Sequence, residues 1–486
     1  MVSATAAKTA KLASPVLCVD LDGTLIRGDL VWECVLALLK TRPFTLLALP
    51  FWLLSGKVHA KRCLAARTRL DAARLPYRGE VLELIEKERE AGRKTALVTG
   101  ADQELAEFVA RHLGLFDEVY GSHRQVNLTG RNKAAFLAEH FGESGFDYVG
   151  DSAADLEVWR RAGGAYVVGS ERIIRRAAAV ADLKLAISRR PVSALTWINA
   201  LRGHHWAKNL LLFLPLLLAH TVLPNLIART FLGFLLFGAC ASGLYIFNDL
   251  MDLHSDREHP WKKQRPFAAG EISIPQGLLA SLILLGGALG AGFLLKAEFG
   301  FALVGYATLT MWYSLQLKQK AILDVFVLSS FYSFRIIAGA LLSKTPLSQW
   351  FLAFSLFFFL SLAMAKRYSE LVHAGDLLKS GASGRGYLSN DGELLLSLGV
   401  ASSFAAAVIL SLYVHSPEVR VLYVSPEFLL LLCPIVLYWL SRNWLLAHRG
   451  ELREDPVTLA IRDKVSYGVA FAAALVIAAS MIHLSF

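Results

Sequence analysis

The sequence predicts an α/β domain built on a parallel sheet, followed by an all-α bundle of nine transmembrane helices. Three observations predict it. Over residues 15–190, short apolar runs ending in Asp or Thr alternate with amphipathic helical segments. Over residues 195–486, nine apolar runs of roughly spanning length are separated by charged loops. At 486 residues and 55% hydrophobic, the chain is too long for one small domain and too apolar for an ordinary soluble enzyme.

The first fifteen residues, MVSATAAKTAKLASP, lack an apolar core and read as a disordered tail over 1–14 rather than a secretion signal. VLCVDLDGTL then reads as a buried parallel strand with Asp20 and Asp22 at its carboxyl end, where α/β folds place their sites. TALVTG is a second strand, ending at Thr99, and FDYVGDSAAD a third, ending at Asp151 with Asp155 four residues on. Amphipathic segments at 80–91, 102–113, 132–141 and 155–162 fall between or after these strands, and Lys133 lies in the third segment. The five cysteines show no metal-ligand spacing and read as thiols in a reducing compartment.

DxDGT, the strand-end Thr99, Lys133 and GDSxxD, in that order, resemble the haloacid dehalogenase superfamily of phosphohydrolases. The resemblance implies a Rossmann-like domain at 15–190 with a helical cap at about 25–80. It also implies roles. Asp20 is the nucleophile, Asp22 the general acid and base, and Thr99 and Lys133 hold the phosphoryl oxygens. Asp20, Asp22 and Asp151 bind Mg2+, supported by Asp155. The expected cap is unusually apolar (LVWECVLALL, then FTLLALPFWLL) and is broken by Lys40-Thr41-Arg42-Pro43 into pieces too short to span. Two readings stay open for it: a packed cap core, or an interfacial segment that docks on the bilayer to receive a lipid.

The apolar runs of the second half fall near 206–222, 228–250, 276–297, 299–317, 322–343, 348–366, 394–414, 426–441 and 465–484. Fifteen Lys or Arg lie in loops after even-numbered runs, against four (Arg229, Lys296, Lys344 and Arg420) after odd-numbered ones. This bias predicts a multi-pass inner-membrane protein with the N-terminal domain and the loop after the second run in the cytoplasm and the C-terminus outside. The net charge of +10 therefore reads as a membrane-surface feature, and no nucleic-acid motif accompanies it.

The loop after the second run opens with NDLMDLHSDREHP. Asp249, Asp252 and Asp256 stand at offsets 0, 3 and 7, one face of a helix, with Asn248 ahead and Lys262, Lys263 and Arg265 behind. Carboxylates hold hard cations through oxygen and basic residues hold phosphates, so the stretch suits a magnesium-diphosphate site. Arg335 lies inside the fifth run, where an arginine costs about 2.5 kcal/mol or more and needs a partner. A phosphate and an aspartate of NDxxDxxxD are both candidates.

NDxxDxxxD in that loop resembles the intramembrane prenyltransferase (UbiA) superfamily, over about residues 195–486. Members acting on aromatic rings carry a second aspartate-rich motif between helices six and seven. Here that loop has Glu370 and Asp376 but no DxxxD, and its prominent groups are Lys366, Arg367 and Tyr368. With WAKN (Lys208, Asn209) before the first helix, and Tyr313, Lys318, Lys320 and Asp324 after the fourth, the chain is similar to the decaprenyl-phosphate phosphoribosyltransferase branch. That resemblance implies Mg2+-dependent transfer of 5-phosphoribose from phosphoribosyl diphosphate to a polyprenyl phosphate in the bilayer, for cell-wall synthesis. The metal shell would be Asn248, Asp249, Asp252 and Asp256. Substrate would be held by Lys208, Asn209, Lys262, Arg265, Tyr313, Lys318, Lys320, Asp324, Arg335, Lys366, Arg367 and Tyr368. An aromatic prenyltransferase fused to a phosphatase, a phosphatase on a non-catalytic lipid-binding anchor, and two uncoupled activities remain alternatives.

Overall fold

A computed structural model describes residues 14–123, 126–189, 191–220, 223–259, 261–374, 386–388, 390–452, 456–460 and 462–481. The tail expected at 1–14 therefore lies, but for residue 14, outside the described residues, as does Asp376. The chain divides into two compact units. One comprises Met1–Ala200 with Asp249–Leu279, the other Leu201–Asn248 with Ala280–Phe486.

The first unit holds six parallel strands: β1 (Val16–Val19), β2 (Thr95–Asp102), β3 (Glu118–Ser122), β4 (Phe146–Gly150), β5 (Gly164–Gly169) and β6 (Leu183–Ser188). Their order is β3-β2-β1-β4-β5-β6, so the winding reverses between β1 and β4. A doubly wound sheet opens a crevice beyond the carboxyl ends of the two strands at that reversal. Strands β1 and β4 are almost wholly buried, as apolar runs covered on both faces must be. Leu17, Val19, Leu97 and Val149 pack with Val81, Ile85 and Val109 on one face, and Cys18, Ala96, Val98 and Tyr148 with Leu137 and Trp159 on the other. Strand β2 runs three residues past the expected end at Thr99, with an irregular register against β3 between Val98 and Asp102. Asp102 then caps the helix Gln103–Leu113 by accepting from Glu104 N, and Gly114 ends it in the left-handed region at φ +64°.

The cap is helical: Leu30–Thr41, a 3-10 segment Pro43–Ala48, then Leu49–Leu54 and Lys57–Ala65. Its inner face packs Cys34, Val35, Leu38 and Leu64 with Trp52. Its outer face leaves Phe44, Leu47, Phe51 and Leu54 bare. A packed core thus accounts for the inner apolar side chains and not for the bare ones.

The expectation of nine spans is not confirmed. Among the described residues, six helices are long and apolar enough to cross a membrane: Pro224–Met251, Ile274–Leu295, Leu323–Ser343, Gln349–His373, Asp391–Val414 and Pro426–His448. The first expected run winds instead as a 3-10 segment, Gly203–Phe213, and a short helix Leu214–Leu218 with Pro215 near its start. The fourth is the helix Ala297–Leu315, whose apolar content is diluted by Glu298, Thr308, Thr310, Tyr313 and Ser314. The last is described over 17 residues, Lys464–Ser480. The second unit packs Phe237, Leu244, Phe299, Leu303 and Phe331 in one cluster and Leu360, Met364, Leu395 and Trp444 in another.

Candidate functional site

Asp20 follows β1 and Asp151 follows β4, so the sheet reversal brings the two motifs together. Carboxylate oxygens of Asp20, Asp151 and Asp155 lie within 4.8 Å of one another. Lys133, on the helix Arg131–Phe141, places its Nζ 2.9 Å from Asp20 Oδ1 and donates to the Tyr148 hydroxyl at 2.8 Å. That hydroxyl donates to Asp155 Oδ1 at 3.1 Å. Asp155 Oδ2 accepts from Asp151 N, Ser152 N and Ser152 Oγ, which holds the turn after β4 closed. Asp155 is thus mostly satisfied by its own turn, and Asp20 and Asp151 have more capacity left for a cation.

The turn after β1 is shaped by Gly23. Its φ is +76°, and a Cβ there would stand 2.2 Å from Asp151 Oδ2, so no larger residue fits between the two motifs. Asp22 Oδ1 accepts from Leu30 N, tying the motif to the first cap helix. Thr99 is fully buried at the end region of β2, and its Oγ1 accepts from Ala101 N.

Burial raises the Asp20 carboxyl to about 6 against the lowering pull of Lys133, and raises Asp151 to about 7 with help from the charges of Asp20 and Asp155. Asp22 is also raised, by burial and by Asp29. Burial opposes the charge on Lys133, and Asp20 and Asp155 outweigh it, so its ammonium is held charged. Three carboxylates crowded against one lysine carry more negative charge than that lysine balances, which is the electrostatic fit for a divalent cation.

The same unit contains the aspartate stretch. The helix Pro224–Met251 ends there, and Asp252 begins a second short helix, Leu253–Glu258, so the expected single helical face is broken at Asp252. Asp249 and Asp256 are both buried and still converge, because Arg265 bridges them at 3.0 and 2.7 Å. A guanidinium shared by two carboxylates shows that the pair can embrace one cation. Lys262 sits in the 3-10 turn Lys262–Gln264 that leads to Arg265. Next to Asp256, Arg257 reaches the cap. It binds Glu33 through two contacts, 2.6 and 3.2 Å, and the Arg74 carbonyl at 3.1 Å. Glu33 is fully buried.

The second unit contains a cavity of about 220 Å³. Of the residues singled out in the sequence, Lys208, Asn248, Tyr313, Arg335, Lys366 and Arg367 line it, with Arg202, His205, Tyr245, Tyr306 and Tyr332 added. Arg335 donates to Asn209 Oδ1 at 2.9 Å, Tyr306 Oη at 3.0 Å and the Phe331 carbonyl, and its guanidinium lies over Phe237, Tyr306 and Tyr332. Among the described residues its partners within the unit are neutral or aromatic, so they do not cancel its charge. Arg367, by contrast, is paired with Asp324 at 2.5 Å and Glu370 at 2.6 Å, and donates to Tyr313 Oη at 2.9 Å. Asp324 also accepts from the Tyr387 hydroxyl, which makes it the anchor of Arg367. Asn209 acts through Arg335 rather than as a cavity-lining group. Lys318 and Lys320 lie in the turn between Leu315 and Leu323, and Tyr368 pairs with His448 at 3.0 Å, all outside the cavity lining.

Sequence reasoning missed Tyr148, Tyr306 and Tyr387. Tyr148 shares its strand with a second polar residue, Asp147, and its contact with Lys133 fifteen residues away is what marks it out. The other two carry no local signal, because their partners Arg335 and Asp324 are 29 and 63 residues away.

Residues 210–465 match the UbiA prenyltransferase family, and residues 17–160 match the haloacid dehalogenase-like hydrolases. An uncharacterised protein of Sinorhizobium fredii is 41% identical over 473 residues, covering 96% of this chain and 91% of that protein. A decaprenyl-phosphate phosphoribosyltransferase of Mycobacterium tuberculosis is 30% identical over 273 residues, covering 55% of this chain and 88% of that protein. A solved UbiA homolog from Archaeoglobus fulgidus bound to DMAPP and Mg2+ aligns with a TM-score of 0.46 at 17% identity, covering 58% of this chain and 96% of that one.

Proposed function

The chain belongs to the UbiA prenyltransferase family and carries a haloacid dehalogenase-like hydrolase region ahead of it, and from there we propose a bifunctional membrane enzyme. The part over 195–486 transfers 5-phosphoribose from phosphoribosyl diphosphate to a polyprenyl phosphate. The part over 15–190 removes the 5-phosphate from the lipid product.

One observation carries the choice of substrate: the cavity gathers five cationic side chains, Arg202, Lys208, Arg335, Lys366 and Arg367. A prenyl diphosphate with a neutral acceptor needs one diphosphate clamp. Phosphoribosyl diphosphate brings a diphosphate and a 5-phosphate, and the acceptor brings another phosphate, so more positive charge is required. The likeness to the decaprenyl-phosphate phosphoribosyltransferases supports the same choice.

In the transferase, Asn248, Asp249, Asp252 and Asp256 would hold magnesium, whose charge neutralises the leaving diphosphate. Arg265 would release Asp249 and Asp256 to that ion and, with Lys262, turn to the phosphates. The bond from the anomeric carbon to the diphosphate breaks with oxocarbenium character, and an oxygen of the lipid phosphate forms the new bond. The nucleophile is already anionic, so positioning and charge stabilisation do most of the work. In the phosphatase, Asp20 attacks phosphorus while Asp22 protonates the departing ribose oxygen. Asp22 then takes a proton from water, which attacks phosphorus and frees Asp20 and inorganic phosphate. Thr99 and Lys133 hold the phosphoryl oxygens. Asp20, Asp151 and the Asp22 backbone would hold a second magnesium, with Asp155 fixing the turn.

The excess of Lys and Arg beside the even-numbered apolar runs supports placing both sites in the cytoplasm and the C-terminus outside. To test the function, Asp20→Asn protein is incubated with phosphoribosyl diphosphate and a polyprenyl phosphate. Phosphorylated lipid product should accumulate where the parent yields the dephosphorylated form. Identical products from the two would overturn the coupling, and turnover of a prenyl diphosphate instead would overturn the substrate.

A further inference from the structure

We propose that the cap segment Pro43–Leu54 is a membrane-surface anchor, seated on an anionic bilayer through its bare apolar side chains and a surrounding belt of basic ones. The proposal deepens the function above and rests on it for the identity of the substrate, but not for the docking itself.

Two independent observations carry it. The first is exposure. Phe44, Leu47, Phe51 and Leu54 are 83%, 71%, 70% and 85% exposed, although Leu46, Leu49 and Trp52 on the other side pack into the cap. The segment is thus folded and apolar on both sides, one packed into the cap and the other bare. A soluble phosphatase gains nothing from four large apolar side chains in water, and a contiguous patch of this kind marks a contact surface. The pieces are a six-residue 3-10 turn and a six-residue helix, far too short to cross a bilayer, so the geometry is that of a segment lying in the interface.

The second observation is charge. Between Glu33 and Asp71 the chain has no acidic residue and seven Lys or Arg: Lys40, Arg42, Lys57, Lys61, Arg62, Arg67 and Arg69. Lys40 and Arg42 stand exposed immediately before the apolar segment, and Lys57 immediately after it. Lys57, Arg62 and Arg67 line one open groove with His59. Arg67 also lies over Trp52, with its guanidinium 4.8 Å from the ring centroid, so one member of the basic belt touches the apolar segment itself. Apolar side chains flanked by a basic stretch match the acyl boundary and anionic headgroups of a bilayer. A second protein copy would set these cations against themselves. Lys61 ties this surface to the phosphatase, donating to the Gly100 carbonyl at 2.6 Å, next to Thr99. Docking would therefore hold the phosphatase at the surface on which a lipid-linked phosphate is presented.

The test uses the full chain in vesicles containing phosphatidylglycerol and a lipid-dissolved carbene photolabel, with labelled peptides mapped by mass spectrometry. Labelling of residues 43–54 supports the proposal, and its decrease in vesicles of phosphatidylcholine alone supports the basic belt. Absence of labelling in both, or protection of the segment within a crosslinked dimer, overturns it. This readout is independent of the substrate, so it fails separately from the functional reading. In a second arm, Phe44, Leu47, Phe51 and Leu54 are all changed to Ser. Hydrolysis of soluble p-nitrophenyl phosphate should be unchanged, while KM for the phosphorylated lipid product rises about tenfold or more. An equal loss on both substrates, or on neither, overturns the anchor.

Discussion

Glu33→Ala should loosen the cap and the aspartate stretch together. Glu33 is fully buried and Arg257 nearly so, and they meet through two contacts at 2.6 and 3.2 Å. Removing one member of such a pair leaves the other charge buried without its counterion, at a cost of about 3–5 kcal/mol. Among the described residues, the Arg74 carbonyl is the remaining acceptor for the Arg257 guanidinium, and a neutral carbonyl does not offset a charge of that kind. If that cost falls on local opening, the lower figure corresponds to an increase of about a hundredfold in amide exchange. Exchange should be followed by mass spectrometry in the peptides spanning 30–41 and 252–258. A double substitution, Glu33→Leu with Arg257→Leu, should recover most of the protection, because an apolar pair of similar volume leaves no buried charge. Unchanged exchange in Glu33→Ala would refute the reasoning. So would a double variant as loose as the single one, which would show that shape rather than charge holds the contact.

Asp22→Asn should lower phosphatase turnover by about 10²–10⁴-fold, the ordinary worth of a general acid and base, with the transferase rate intact in the same preparation. Gly23→Ala should cost more than about 1 kcal/mol, seen as a lower melting temperature and weaker magnesium dependence, since φ is +76° and Asp151 occupies the space a methyl group would need. Arg335→Lys keeps the charge but not the planar fork that reaches Asn209 and Tyr306 together, so transferase activity should fall about tenfold or more in a radiolabel assay while the protein stays folded. Chelation with EDTA should stop both activities, and added magnesium should restore both; a chelator-resistant transferase would remove Asp249, Asp252 and Asp256 from the metal shell.

Much of the first unit is legible in the sequence because its signals are local. DLDGT and GDSAAD each place carboxylates at the end of an apolar run, and the order of the parallel strands then brings β1 and β4 side by side. Tyr148 is harder to see, because what selects it is contact with Lys133 fifteen residues away. The second unit is less legible. Composition cannot tell a spanning helix from the 3-10 winding at Gly203–Phe213, since both are apolar. Nor can it reveal that Arg335 is held by Asn209 and Tyr306, while Arg367 is neutralised by Asp324. The two arginines look alike in sequence, and only their packing separates a cation with unspent charge from one already matched.

The boundary between the two compact units falls between Asn248 and Asp249, in the middle of a motif and near the end of one continuous helix. A gene truncated after residue 200 would encode the phosphatase sheet without residues 249–279, and so without the arginine that balances Glu33. Cutting the chain at residue 200 would thus leave Glu33 buried without its counterion.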